Sequence, residues 1–465
     1  MLHLQVSNDI RLDTNKLPQK AWRVIARDLT LPNPSYLTAE RMGKYTGNLA
    51  KYIRLYEVRD DTIIIPRGYI YRLLSLLKDT GQAYAIDDQR LLLPPVDFKS
   101  LIKLRDYQTP AADRLTKRGN GGLDAPCGSG KTQIMLEVTA RLRQPALWIT
   151  HTKELQQQLI ERACSCFEGM KPEEIGIIAD GKVSIGPRLT VALVQTLSKI
   201  DFAKISDKFG TVIVDEGHHI AATTFQDTVS RFPARYRLWC SATPEREDGL
   251  GKMVIASGGP IRYTIEDKDL PTVKPRLEII ESHYNGYLNV EDYAGMMTEL
   301  VKNPGRNKLV VDIISHEAPG HYSLVLSDRI EHLVILKGRL AAALPTMRIE
   351  ILTGQLPKKE RTSIMEMAKA GRVDVLLATQ LAREGLDLPH LDRLFLVSPK
   401  RAKGATQQEI GRIMRPCANK EDAVVFDFWD TQHPVFKAQF WKRRAVYQKL
   451  GIVVDFQSGM QRIPG

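Results

Sequence analysis

The chain has 465 residues, 43% of them hydrophobic and 26% charged, with a formal net charge of +12. That is enough chain for about two to four domains with cores of their own, in the composition range of a globular protein. No run approaches the roughly 18 consecutive apolar residues of a membrane helix, and Met1–Gln5 lacks the basic flank and apolar core of a secretory signal. Five scattered cysteines (Cys127, Cys164, Cys166, Cys240, Cys417) argue against a disulfide framework and for a reducing, cytoplasmic compartment. The basic balance favours a polyanionic partner, and its excess is densest over residues 433–465, with six Lys+Arg against one Asp.

Residues 1–95 are expected to form a small α+β module and contain no motif that carries chemistry. Ile53–Val58 and Thr62–Ile65 pattern as strands around an Arg59-Asp60-Asp61 turn, Tyr69–Leu77 as an amphipathic helix and Arg90–Leu93 as a further strand. Pro94-Pro95 then makes a linker. Over residues 96–265 apolar runs alternate with helical patterns. The runs are Ala146–Thr150, Leu189–Val194, Thr211–Val214 and Tyr236–Cys240, and such alternation predicts βαβ units on a parallel sheet. Gly258–Pro275 is expected to connect to a second α/β domain, over residues 266–465, with strands at Tyr322–Leu326, Arg348–Leu352, Val373–Ala378, Leu394–Val397 and Ala423–Phe428.

Three motifs carry chemistry. Ala125-Pro126-Cys127-Gly128-Ser129-Gly130-Lys131-Thr132 has the small residues that let backbone N–H groups wrap phosphates. Lys131 supplies a cation and Thr132 a hydroxyl for Mg²⁺. Ala125 stands where the strict pattern has Gly. Some 80 residues on, Asp215-Glu216-Gly217-His218 ends the apolar run Thr211–Val214, where a parallel strand delivers carboxylates to a nucleotide. Asp215 is expected to hold Mg²⁺, and Glu216 to orient and deprotonate the attacking water. His218 is expected to couple this site to Ser241-Ala242-Thr243. Finally, Gln408, Gly411, Arg412 and Arg415 share one helical face, so both guanidinium groups reach one place and can stabilise charge on a transferring phosphoryl group.

These motifs, with others in the same order over residues 101–430, resemble those of the superfamily 2 helicases. Leu104-Arg105-Asp106-Tyr107-Gln108 resembles the adenine-reading segment, which makes Arg105 and Gln108 nucleotide contacts. Thr150–Leu155 (with Thr152 and Lys153) and Val194-Gln195-Thr196 resemble strand-gripping motifs, and Ser241-Ala242-Thr243-Pro244 the coupling motif that Gln408 also serves. In the second domain Asp328-Arg329, Thr353-Gly354 and Thr379 resemble nucleic-acid contacts, while Gly385 and Asp387 resemble nucleotide contacts. Such contacts go mostly to phosphates and carry no sequence information. The doubled histidine of Asp215–His219 and the Arg246-Glu247-Asp248 element are similar to the XPB- and UvsW-like DExH branch.

The resemblance implies an α/β fold of two tandem RecA-like domains with parallel sheets, preceded over residues 1–95 by a small α+β domain, which in this branch is a candidate DNA-binding module. It implies ATP and Mg²⁺ as cofactors, with ATP bound between the two domains. The implied activity is that of a monomeric DNA helicase or translocase on branched or duplex DNA, in recombination, replication or repair, branch migration included; the compact length suggests a phage or microbial source. A duplex translocase that separates no strands and an RNA helicase are the competing enzymes. A clamp that uses ATP as a switch would not need Glu216, and a metabolic kinase would not need Gln408–Arg415. The C-terminal run Phe436–Tyr447 patterns as a packed helix through Phe436, Phe440 and Tyr447, with a nucleic-acid role for Lys442, Arg443 or Arg444 as the alternative.

Overall fold

The computed structural model describes all residues except 127, 216–227, 243–250, 271–274, 287, 290–291, 380–387, 389, 400–409, 411–412, 414–419, 421 and 453–465. The chain divides into two compact units, Met1–Glu266 and Asp267–Gly465. Among the described residues no helix is long and apolar enough to cross a membrane.

The first unit opens with a hairpin, Leu2–Val6 against Asp9–Asp13. Its alternate residues Leu2, Leu4, Val6, Ile10 and Leu12 are all buried, as the two-residue period of a half-buried strand requires. With Thr62–Pro66, Glu57–Arg59 and Tyr84–Asp88 it makes a five-stranded sheet packed on helices Gln19–Asp28 and Ile70–Asp79. Tyr52–Arg54 leaves this sheet to pair with Thr30–Pro32. Arg90–Leu93 is not a strand. It makes one bridge, Leu91 to Ala234, because Pro94 and Pro95 offer no N–H to extend a ladder.

This module shares its core with Met253 and Ala256 of the α/β part. Two buried arginines fasten it at the hairpin turn. Arg67 Nη1 donates to Ser7 O (3.2 Å) and Ala234 O (2.6 Å). Arg237 donates to Asn8 O (3.2 Å), Phe232 O (2.8 Å) and Ser257 O (2.9 Å). The bonds from charged donors to carbonyls offset part of the cost of burying the two cations.

The rest of the unit is an eight-stranded sheet in the order Lys182–Val183, Gly176–Ala179, Leu189–Leu193, Ala146–Thr150, Thr211–Val214, Tyr236–Ser241, Asn120–Asp124, Ile261–Thr264. All neighbours run parallel except the Lys182–Val183 edge. Four of these strands, Gly176–Ala179, Lys182–Val183, Asn120–Asp124 and Ile261–Thr264, are not among the expected runs. Ile261–Thr264 falls within the supposed connection but completes the sheet beside Asn120–Asp124. Asn120–Asp124 itself has a poor strand composition because Trp239 lies across it: a Cβ on Gly122 would sit 2.2 Å from the indole. The glycine costs local propensity and admits the ring.

The second unit is built on six parallel strands in the order Arg276–Ser282, Val424–Asp430, Arg393–Leu396, Ser323–Leu326, Val375–Ala378, Ile349–Leu352. Arg276–Ser282 has no counterpart among the expected strands. Helix Pro434–Lys449 packs on this sheet through Phe440 and Tyr447, while Phe436 packs against Met296, Leu300 and Val301 of helix Tyr293–Lys302. Arg443 is not a surface cation. It is 3% exposed and grips Asp427 through two bonds of 2.8 and 2.9 Å, and Tyr447 OH donates to the same carboxylate. A nucleic-acid role for Arg443 is therefore excluded by burial. Asp427→Ala leaves that guanidinium buried without its partner and should cost about 3–5 kcal/mol, read by denaturant unfolding.

Candidate functional site

In a parallel sheet every crossover loop that follows a strand emerges on the carboxyl edge, where ligands bind in open α/β folds. On the first unit that edge carries the phosphate loop. Strand Asn120–Asp124 leads into Ala125–Gly130, and helix Lys131–Leu142 starts directly after it. Gly128 (φ +86°) and Gly130 (φ +79°) take left-handed conformations, which turn successive N–H groups inward. Lys131 is buried and donates from Nζ to Ala125 O at 3.2 Å, which holds the ammonium over the loop. Ser129 Oγ is buried without a protein partner. A left-handed glycine pair, a helix N-terminus with Lys131 and an unpartnered hydroxyl suit a polyphosphate.

Gln108 braces this loop. It is 2% exposed; its Nε2 donates to Ser129 O at 2.8 Å and its Oε1 accepts Arg105 N–H at 2.9 Å. Tyr107 OH donates to the same Ser129 carbonyl at 3.2 Å. A Cβ on Gly130 would meet Gln108 Nε2 at 2.4 Å, so the glycine is required by packing as well as by φ. Both ends of the Gln108 amide are engaged by backbone, while Arg105 is exposed.

Asp215 stands at the end of Thr211–Val214, two strands from the phosphate-loop strand, with Tyr236–Ser241 between. It is 7% exposed and accepts from Cys240 Sγ at 3.2 Å. Ser241 O accepts Ala125 N–H at 3.0 Å, which ties the middle strand to the root of the loop. Thr132, half-buried in the first helical turn, and Asp215 are the described oxygen donors suited to Mg²⁺, a hard cation.

The same edge continues through the next two strands. After Ala146–Thr150, Thr152 caps helix Lys153–Cys166 by accepting Leu155 N–H, and Lys153 pairs with Asp180 at 2.7 Å. After Leu189–Leu193, Gln195 donates to His151 O at 2.9 Å, so the Thr152–Lys153 and Gln195–Thr196 segments form one patch. On the second unit, the loops after Ser323–Leu326, Val375–Ala378 and Ile349–Leu352 set Asp328-Arg329, Thr379 and Thr353-Gly354 along the carboxyl edge of three neighbouring strands. Cys127, Glu216, His218, Thr243, Arg246, Gly385, Asp387, Gln408, Arg412 and Arg415 lie outside the described residues.

Sequence reasoning missed a buried relay beneath Asp328-Arg329. Asn307 Nδ2 donates to Val301 O at 2.7 Å, so Asn307 Oδ1 faces His332 Nε2 at 3.0 Å and can only accept. Burial pushes His332 down to about 3, so the ring is neutral and its single proton is on Nε2. Its Nδ1 therefore accepts from the Ser327 hydroxyl at 2.9 Å. Ser327 Oγ in turn accepts from Ser398 Oγ (2.9 Å) and Arg329 N–H (3.3 Å), and Ser398 Oγ accepts Asp328 N–H (3.4 Å). Every proton in this chain has one direction, and the relay clamps the loop. The available signal was a serine directly after each of two apolar runs, at Leu326-Ser327 and Val397-Ser398.

Residues 101–246 match the family described as type III restriction enzyme, res subunit, and residues 305–417 match the helicase conserved C-terminal domain. The chain is 28% identical over 382 residues to L396 of Acanthamoeba polyphaga mimivirus, by name an ATP-dependent RNA helicase (77% of this chain, 70% of that one). It is 29% identical over 364 residues to D10 of Escherichia phage T5, by name a helicase (76% and 77%). Against the DNA 3'-5' helicase XPB of Kineococcus radiotolerans it is 28% identical over 394 residues (78% and 67%). The chain belongs to the superfamily 2 helicases, with XPB helicases among its relatives. This helicase is accordingly a nucleic-acid-dependent ATPase. Its fold is shared with Saccharomyces cerevisiae Dbp5 bound to RNA and ADP BeF3, at 15% identity and TM-score 0.55 over 76% of this chain and 89% of that one.

The relay is expected to make the fold sensitive to acid. His332 binds its proton near pH 6.5 when unfolded and near 3 when folded, so its stabilising share is present above 6.5 and is lost as pH falls toward 3. Between pH 7 and 5 the parent should lose about 2 kcal/mol more than His332→Leu does, as read by urea unfolding at the two pH values.

Proposed function

We propose that the chain is an ATP- and Mg²⁺-dependent DNA helicase or translocase that acts on branched or duplex DNA inside the cell, as a monomer. One observation carries this reading most. On the first sheet, Lys131 and Asp215 flank the strand that ends at Ser241, and the Thr152–Lys153 and Gln195–Thr196 patch occupies the same edge. That shared edge supports a reading in which nucleotide chemistry and strand contact lie on one rigid element. The names of the XPB relatives favour DNA. An RNA helicase is the second reading, favoured by the name of L396.

When bound, MgATP supplies the phosphoanhydride that is cleaved. Lys131 and the N–H groups of Gly128–Gly130 would hold the phosphates, with Pro126 and Cys127 shaping the loop, and Thr132 and Asp215 would hold the metal. Glu216 would take the proton of the attacking water. Arg412 and Arg415 would neutralise charge developing on the transferred group, with Gly385 and Asp387 as further nucleotide contacts. Arg105 would register the base, and Gln108, whose amide is already held by Arg105 N–H and Ser129 O, would link that segment to the phosphate loop rather than pair with the base itself. Ser241, Thr243, His218 and Gln408 would couple turnover to the strand contacts. Those contacts are Thr152, Lys153, Gln195, Thr196 and Arg246 in the first unit and Asp328, Arg329, Thr353, Gly354 and Thr379 in the second.

Lys131→Ala should abolish ATP hydrolysis while keeping the fold; normal turnover would sink the site assignment. Arg415→Ala should slow hydrolysis on the order of 10³-fold, and a rate within a few-fold of the parent would remove it from the site. Substrate class is tested by ATPase rate and strand release on single-stranded DNA, linear duplex, a fork, a four-way junction and RNA. Stimulation with release on forks and junctions supports the proposal. Stimulation by RNA alone establishes the second reading.

A further inference from the structure

Residues 32–54 form an ordered excursion from the N-terminal module in which no residue is buried. Its base is tied. Thr30–Pro32 pairs with Tyr52–Arg54, Asn33 N–H donates to Lys51 O at 3.0 Å, and Asn33 Nδ2 donates to Ala50 O at 2.7 Å. Asn33 also caps helix Pro34–Arg41 by accepting Ser35 N–H. Ordering such a segment costs backbone entropy, and no core within it offsets the cost.

What the excursion presents is aromatic and cationic. Tyr45 is 83% exposed and Tyr52 53%. Lys51 Nζ sits 5.9 Å from the Tyr36 ring centroid. Arg41, Lys44, Lys51 and Arg54 stand against a single acid, Glu40. None of the four is ion-paired with a described residue. Surface cations ordinarily need no partner, and a lone exposed tyrosine needs no explanation. Four cations interleaved with three tyrosines on a coreless, tied excursion are a different matter. Cations track a phosphate backbone while aromatic faces stack on bases. Only unpaired bases offer their faces, because in a duplex the stack already covers them.

We propose that this excursion is a holding site for a nucleic-acid single strand, with Tyr45 and Tyr52 as stacking platforms and Lys44 and Lys51 on the phosphates. The proposal rests on the helicase reading above and adds a contact outside the motor motifs. Arg67 and Arg237 fix the module to the first sheet, so the held strand would keep a constant position relative to the Thr152–Gln195 patch.

The test compares the parent with Tyr45→Ala/Tyr52→Ala and with Lys44→Glu/Lys51→Glu, using labelled oligo(dT) of about 20 nucleotides and a duplex of similar length. Fluorescence anisotropy without ATP should show oligo(dT) affinity falling on the order of 10-fold or more in the tyrosine pair, with duplex affinity nearly kept. The lysine pair should weaken both ligands and flatten the salt dependence. Oligo(dT) affinity within two-fold of the parent in both variants would overturn the site, as would equal losses on both ligands in the tyrosine pair. The KM of oligo(dT) for ATPase stimulation should rise in parallel. A parent whose ATPase no nucleic acid stimulates would defeat the helicase reading alone, because the anisotropy result decides the holding site without turnover.

Discussion

The first unit depends on one strand, Tyr236–Ser241, fitting between the strand that carries the phosphate loop and the strand that carries Asp215. Four of its six residues have separate tasks. Arg237 holds the hairpin turn of the N-terminal module, and Trp239 fills the space that Gly122 leaves. Cys240 meets Asp215, and Ser241 O receives Ala125 N–H at the root of the phosphate loop. A close-packed interior transmits small displacements, because it has few voids to absorb them. A shift at Ser241 is therefore felt at Asp215, at the loop and at the N-terminal module together.

The second unit reaches a similar outcome with polar groups. Its carboxyl edge also presents strand-contact candidates, but the loop at Asp328-Arg329 rests on Ser327, Ser398, His332 and Asn307 rather than on an indole. A fully satisfied buried network is rigid and allows one arrangement, since losing any member leaves others unpaired. The two units thus hold loops on their carboxyl edges by different means. The first uses shape, with a glycine under a tryptophan, and the second uses the direction of protons.

Much of this organisation was legible because parallel strands covered on both faces are continuous apolar runs. Thr211–Val214 and Ala146–Thr150 are of that kind, and the acidic pair after Thr211–Val214 marked a strand end. Asn120–Asp124 was not legible, since Gly122 answers to Trp239 and Gly121 to Pro260 and Arg262, all distant in sequence. Ile261–Thr264 and Arg276–Ser282 are short or charged strands at sheet edges, where one side needs no apolar cover. Arg443 and Asp427 were equally hidden, as a charged residue on a basic helix gives no sign of a buried partner in a neighbouring strand. The phosphate loop was the easiest feature to find, because its chemistry is local: the spacing of Gly128, Gly130 and Lys131 is itself the site.

The central claim is that hydrolysis at the Lys131–Asp215 site drives strand separation. It is tested most directly by single-turnover release of a labelled strand from a DNA fork, comparing the parent with Glu216→Gln in the presence of ATP and Mg²⁺. The account predicts that the parent releases the strand, and that the variant binds both ATP and the fork yet releases nothing. Release by the variant at the parental rate, or by the parent without ATP, would contradict it.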